Sequence, residues 1–192
     1  QSMTLLKLKL VNLRDHAAPP AVRDAMKDIF ETLDSIIQQT RTMTFDLSPP
    51  ILYELGLQPA LDWLGERFEK QYGIHFTFTS EHTTGRYPEA ASILLFQSVQ
   101  ELLANVGKHA KARNVELTFS TAGERLVIAV HDDGEGFDVR RAHEERYEEM
   151  GFGLFSIRER MRHIGGTLGI ESGTGQGTTV TLTVPLKTIE NL

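Results

Sequence analysis

Apolar residues along the chain follow two different rhythms, and the change of rhythm divides it. From Val22 the positions Val22, Met26, Ile29, Leu33, Ile36, Thr40, Met43 and Leu47 step by four and three alternately, the repeat of a heptad seam. Leu6, Leu10 and Leu13 make a shorter stripe before it, and residues 15–20 read as the turn between two helices. Two helices of this length cannot bury two apolar faces alone. The pattern therefore predicts an all-α helical hairpin over 1–48 that pairs with a second copy, a homodimer built as a four-helix bundle. The second helix stops near Ser48, because Pro49 pushes its predecessor out of the α region and Pro50 lacks an amide proton.

Residues 49–192 form the second predicted domain and mix both periods. An amphipathic helix is expected over 57–72, ended by Gly73, then a strand over 74–79 and a long helix over 88–109. Strands follow at 114–120 and 125–131, then a loop, a helix near 154–164, and closing strands at 167–171 and 178–185. This order predicts an α+β fold, a two-layer α/β sandwich, and not a doubly wound parallel sheet. Residues 138–150, rich in Arg and Glu and poor in apolar side chains, read as a loop that is poorly ordered until a ligand is bound.

Composition narrows the function classes. Lys plus Arg is 20 against Asp plus Glu 26, a net charge of -6, so the positive footprint of a nucleic-acid binder is missing and no direct nucleic-acid contact is expected. The chain has no cysteine, which excludes disulfides, thiol nucleophiles and cysteine metal sites and fits a reducing, cytoplasmic compartment. No stretch approaches the roughly 18 apolar residues of a membrane span, so no membrane contact is expected of these residues, although a parent receptor could be anchored elsewhere. The start at Gln1, without an initiator Met, suggests a chain cut from a longer one.

Chemistry concentrates in four places. On the 88–109 helix, Leu95, Val99, Leu102 and Val106 make an apolar stripe, while Gln97, Glu101, Asn105 and Lys108 stack on another face. That second face fits either one wall of a polar cleft or an ordinary solvated surface. The strand 125–131 runs into Asp132-Asp133-Gly134-Glu135-Gly136-Phe137, where a carboxylate at a strand end can accept from an exocyclic amine while glycines let a flat base approach; Asp-Gly is equally a common turn. Gly151-Phe152-Gly153-Leu154 opens a helix whose free amides attract phosphate. Gly173-Thr174-Gly175-Gln176-Gly177-Thr178-Thr179 precedes the last strand, a second glycine loop or a plain hairpin.

Taken together and in this order, the four resemble the ATPase domain shared by sensor histidine kinases, type II topoisomerases, ninety-kilodalton heat-shock chaperones and the mismatch-repair MutL proteins. Glu101-Leu102-Leu103-Ala104-Asn105-Val106-Gly107-Lys108-His109-Ala110 resembles that family's N-box, and the three loops resemble its glycine boxes. Asp46-Leu47-Ser48-Pro49-Pro50-Ile51-Leu52 with Leu55-Gly56-Leu57 is similar to the junction of histidine kinases of the nitrate and nitrite signalling type, so the likeness covers nearly the whole chain.

The resemblance implies a Bergerat ATP-binding fold with ATP and Mg2+ as ligands. By it, Glu101 would orient or deprotonate near the transferred phosphate, Asn105 would ligate Mg2+, and Lys108 and His109 would contact phosphates. Asp132 would accept from the adenine amine, with Gly134 and Gly136 in its loop and Thr178 supporting it through water. Gly151, Gly153 and the amide of Leu154 would lie against the triphosphate. The resemblance further implies phosphoryl transfer to a histidine and then to a response regulator with a DNA-binding output domain. The acceptor histidine is expected upstream of a segment resembling residues 1–13, so the chain as given is expected to bind nucleotide without labelling itself; Gln1 would be the glutamine following that acceptor.

Gly107 departs from the pattern, since a larger residue is usual there and glycine costs up to about 1 kcal/mol in a helix; the sequence supplies no reason for it. The 138–150 loop is also too short for the phenylalanine box of many histidine kinases. Two other readings share the nucleotide site: a docking module that binds nucleotide without transfer, and a serine kinase acting on regulators of sigma factors, a group without the heptad helix of 22–47.

Overall fold

The computed structural model describes residue 29 and residues 49–81, 87–138 and 151–189. The chain separates into two units, Gln1–Pro49 and Pro50–Leu192, and the second contains the elements below. The heptad seam apart from Ile29, the helical hairpin, the dimer expected of it and the 139–150 part of the Arg/Glu loop lie outside the described residues.

Pro50 reads in the sequence as the stop of a helix, and in the structure it has another part. It begins one, α1 (Pro50–Glu54), at the position where a missing amide proton costs nothing because that proton has no partner in a first turn. Helix α2 (Leu57–Tyr72) buries Leu57, Ala60, Leu61, Leu64 and Phe68, a spacing of three and four that points one stripe inward. It ends at Gly73, whose left-handed backbone (φ 67) returns its N–H to the Glu69 carbonyl. Strand β1 (His75–Ser80) follows, and α3 (Glu89–Asn105) crosses over to β2 (Asn114–Ala122), which lies parallel to β1. The remaining elements are β3 (Arg125–Asp132), α4 (Gly151–His163), β4 (Thr167–Ser172), β5 (Thr178–Pro185) and a short α5 (Leu186–Ile189).

The five strands take the order β1-β2-β3-β5-β4, antiparallel everywhere except the first pair. Alternation puts Val115, Leu117 and Phe119 of β2, Leu126, Ile128 and Val130 of β3, and Val180, Leu182 and Val184 of β5 on one buried face. The helices lie against that face, which makes the two-layer sandwich. Helix α3 is its centre: Ala91, Leu95, Phe96, Val99, Leu102 and Leu103 are all 3% exposed or less. The single stripe read from the sequence is therefore only part of its buried surface, because α3 packs against α2, α4 and β3 together. Ser98, buried within it, returns its hydroxyl to the Leu94 carbonyl at 2.7 Å.

The long helix does not run on in one form. After Asn105 it widens into a π-helical turn, Val106–Ala110, and leaves through Lys111 in the left-handed region (φ 52). Gly107 sits in that turn, and a Cβ there would meet the Tyr72 ring at 2.6 Å. Its missing side chain is the space that the last residue of α2 occupies. Tyr72 is held in turn by Phe68, with ring centroids 5.2 Å apart. Alanine at 107 gains up to about 1 kcal/mol of helix propensity but forces an overpacking cost of about 1–3 kcal/mol. Gly107→Ala is therefore expected to lower stability by about 1 kcal/mol in urea unfolding, and to raise it instead in a Tyr72→Ala background; the same sign in both backgrounds would refute this account of the glycine.

Candidate functional site

The sheet and helices leave a cleft of ≈ 300 Å³ where α3 and the π turn face the ends of β3 and β5. Leu102, Asn105, Val106, His109 and Ala110 line it from the helical side, Val130, Asp132, Gly136 and Phe137 from β3 and the loop after it, Gly153 and Leu154 from the first turn of α4, and Thr178 and Val180 from β5. Seven residues singled out in the sequence thus share one cavity: Asn105, His109, Asp132, Gly136, Gly153, Leu154 and Thr178.

Others stand at its margin. Glu101 does not line the cavity but adjoins it, since a Cβ on Gly153 would overlap its Oε1 and lie 3.3 Å from Asn105 Nδ2. α4 thus begins close against the polar side of α3, and a side chain at 153 would have to push the Glu101 carboxylate aside. Gly151 opens α4. Gly134 packs so closely on Ala110 and Asp132 that a Cβ there would meet the Ala110 carbonyl. Lys108 is exposed, and the cavity takes His109 in its place. The π turn is the reason: each of its residues turns through a smaller angle than in an α-helix, so the residue four beyond Asn105, not the one three beyond, comes back above it. The apolar stripe and the polar face are also not separate walls, because Leu102 and Val106 open into the same cavity as Asn105.

The loops are tied to one another. Glu135 donates its N–H to the Ala110 carbonyl at 2.9 Å and accepts that of Gly175 at 2.6 Å, joining the π turn, the loop after β3 and the loop before β5. Lys111 adds an exposed ion pair with Glu135 at 2.8 Å. Gly136 (φ 59) and Gly177 (φ 73) are required at the crossing: a Cβ on the first would strike the Gly173 and Gly177 carbonyls, and one on the second the Asp132 carbonyl. Asp133 points away from the cavity. Its carboxylate accepts the Arg113 and Asn114 amides at 2.7 and 2.9 Å and the Asn114 side chain at 2.7 Å, bonds that hold its pKa down at about 2. Ser172, at the end of β4, bonds Phe137, Gly177 and Thr178. Neither anchor was singled out as a site residue from sequence, where a serine at a strand end and the second of two aspartates carry no distinctive spacing.

Residues 90–188 match the family described as histidine kinase-, DNA gyrase B-, and HSP90-like ATPase. The chain is similar to the signal transduction histidine-protein kinase/phosphatase DegS of Brevibacillus brevis, 31% identical over 188 residues, which is 97% of this chain and 47% of that protein. It therefore spans about half the length of that curated relative. Its fold is similar to the histidine kinase domain of the Erythrobacter litoralis blue-light activated histidine kinase, at a TM-score of 0.60 and 18% identity over 98% of both chains. It is also similar to the Acinetobacter baumannii histidine kinase AdeS, at 0.55 and 14% identity over 96% of this chain and 94% of that one.

Asp132 is the charged residue buried in this region, at 4% exposure. Burial pushes its carboxyl above the ordinary value of 3.8, opposed by hydrogen bonds from the Gly134 and Thr178 backbone and by nearby His131. Between pH 3.8 and the raised native value an unfolded chain has lost this proton while the native one keeps it, so the native state binds more protons and stability falls as pH rises through that window. Asparagine at 132 keeps an oxygen for the Gly134 amide without the charge. Asp132→Asn is accordingly expected to be at least as stable as wild type at pH 7, with the advantage shrinking as pH falls toward 3.8 and gone below it. Urea unfolding at both ends of that range is the measurement, and a clear loss of stability at pH 7 would contradict the assignment.

Proposed function

This chain belongs to the histidine kinase-, DNA gyrase B-, and HSP90-like ATPase family, and from that premise we propose that it is the ATP-binding catalytic core of a two-component sensor histidine kinase. In that role it binds ATP with Mg2+ and passes the γ-phosphoryl group to a histidine on the dimerisation helix of the kinase, from which a response regulator with a DNA-binding output domain receives it. Residues 1–48 would form the homodimer contact, and this part of the protein would work in the cytoplasm. The likeness to DegS over nearly the whole chain supports the reading. Among the described residues no helix is long and apolar enough to cross a membrane.

One observation carries the site: Asn105 and Asp132 face the same cleft from α3 and β3, with Leu102, Val106, Val130, Phe137, Leu154 and Val180 supplying apolar walls. Flat apolar walls with one carboxylate at the end suit a purine, whose exocyclic amine Asp132 would accept. The opposite end suits phosphates. The first turn of α4, at Gly151, Gly153 and Leu154, presents the positive end of a helix and attracts negative charge, and His109 and Lys108 stand on the neighbouring π turn.

Among the described residues no three His, Cys, Asp or Glu side chains gather as a metal site. Mg2+ fits such a place, because it takes few protein ligands and completes its shell with water and substrate phosphate oxygens. The Asn105 amide oxygen would hold it, and Mg2+ when bound neutralises charge on the phosphates. Glu101, beside Asn105 and Gly153, would orient the attacking histidine or take its proton. Phosphoryl transfer asks for this kind of positioning more than for covalent help.

Calorimetric titration tests the assignment. Asn105→Ala is expected to weaken Mg-ATP binding about tenfold or more while changing Mg-free binding little, and Asp132→Asn to weaken both about tenfold. Unaltered binding in both variants would undo the site. In a longer chain with the dimerisation helix complete, incubation with Mg-ATP should place labelled γ-phosphate on a histidine, and tight nucleotide binding without transfer would favour a docking module instead.

A further inference from the structure

Tyr72, the last residue of α2, does not line the cleft, yet it touches the turn that aims side chains into it. A Cβ on Gly107 would meet its ring at 2.6 Å. The ring is half-buried against the core and braced by Phe68, with centroids 5.2 Å apart. Every other residue of the π turn Val106–Ala110 carries a Cβ, so Gly107 alone can face the ring at that distance. The ends of the turn are set elsewhere. Before it, α3 is packed in the core through Leu103; after it, the Ala110 carbonyl accepts the Glu135 N–H at 2.9 Å and Lys111 takes the left-handed backbone (φ 52). Those restraints fix where the turn begins and stops, and leave open which of its residues faces α2 and which the cleft. Residues three and four beyond Asn105 share its face in ordinary α winding, so Lys108 and His109 compete for one place. With Gly107 against the ring, His109 lines the cavity and Lys108 does not.

We propose that Tyr72 is a positioning residue for the phosphate end of the cleft: its ring admits only Gly107 as a neighbour, and so holds the π turn in the one rotation that presents His109, rather than Lys108, above Asn105. The inference rests on the nucleotide reading above and deepens it, since it concerns which of two adjacent donors meets the phosphates. Without the ring, a residue bearing a Cβ faces α2 equally well. The turn is then free to rotate, and Lys108 can take the place of His109.

The test is calorimetric titration of Mg-ATP on the full 192-residue chain, comparing the affinity lost in His109→Ala with that lost in Lys108→Ala. In the wild-type background the His109 loss is expected to exceed the Lys108 loss about fivefold. In a Tyr72→Ala background that ratio should fall to about one or below, because the two residues now exchange. Tyr72→Phe, which keeps the ring, should keep the wild-type ratio. Weakened packing alone would lower stability or affinity without changing which of the two side chains matters. A ratio that stays above about threefold in Tyr72→Ala, with Mg-ATP still bound, overturns the inference and leaves the nucleotide reading standing. A wild-type ratio of about one or below does the same. Wild-type chain that binds no Mg-ATP overturns the reading beneath it. Should Tyr72→Ala lose cooperative unfolding, Gly107→Ala, whose Cβ breaks the same contact from the other side, decides alone, and an unchanged ratio there is equally fatal.

Discussion

A carboxylate buried at the end of a central strand is the constraint that the rest of this domain is arranged around. Taking an ionised Asp132 out of water is costly unless its lone pairs are met. The chain meets them with backbone amides, from Gly134 two residues on and from Thr178 across the ladder. For those amides to arrive, the loop after β3 and the loop before β5 must both fold tightly over the strand end. That requirement explains why glycines crowd there: Gly134 and Gly177 lie where a Cβ would touch Asp132 itself, and Gly136 where one would touch the opposite loop. Asp133 serves the same end from the outer side, hooking the end of β3 to the start of β2 through Asn114. Two adjacent acidic residues thus have opposite fates, one pushed up by burial and one held down by three hydrogen bonds.

The second constraint is that one helix serves both the core and the cleft. Helix α3 is buried on most of its circumference, so the register that packs Leu95, Phe96 and Val99 leaves little freedom to aim polar side chains. The π turn resolves the conflict locally. By widening after Asn105 it re-aims His109 without disturbing the packing behind it, and Gly107 makes room for Tyr72 at the same point. The local change of winding is therefore coupled to α2 through an aromatic contact, which makes the α2 terminus part of the support of the site.

Much of this was legible in the sequence, for identifiable reasons. Strands β2, β3 and β5 alternate strictly, so their inward faces and approximate bounds follow from period two. Gly73 marks the end of α2 because only a left-handed residue closes a helix that way. The gathering of Asn105, His109, Asp132, Gly136, Gly153, Leu154 and Thr178 into one cavity was also expected, as what the family resemblance of the motifs implies. What escaped were features with no local signature. Pro50 reads as a breaker unless its position relative to the next helix is known; a π turn leaves no hydrophobic period; and Gly107 has meaning only through Tyr72, thirty-five positions earlier in the chain. Ser172 is equally silent, since its role depends on loops brought together by the β4–β5 and β3–β5 pairings.

The two ends of the cleft are built from different material, and this bears on how a nucleotide would be used. The end at Asp132 is made of strand termini and loops cross-bonded through Glu135 and Ser172, so its shape is set before any ligand arrives. Binding there costs little reorganisation, which favours recognition. At the other end are the first turn of α4 and the side chains of Glu101 and Asn105. On the proposed reading, base recognition and phosphate chemistry are thus assigned to separate supports. A substitution at the loop crossing should then act on which nucleotide is held, and one on α3 on what happens to it once held.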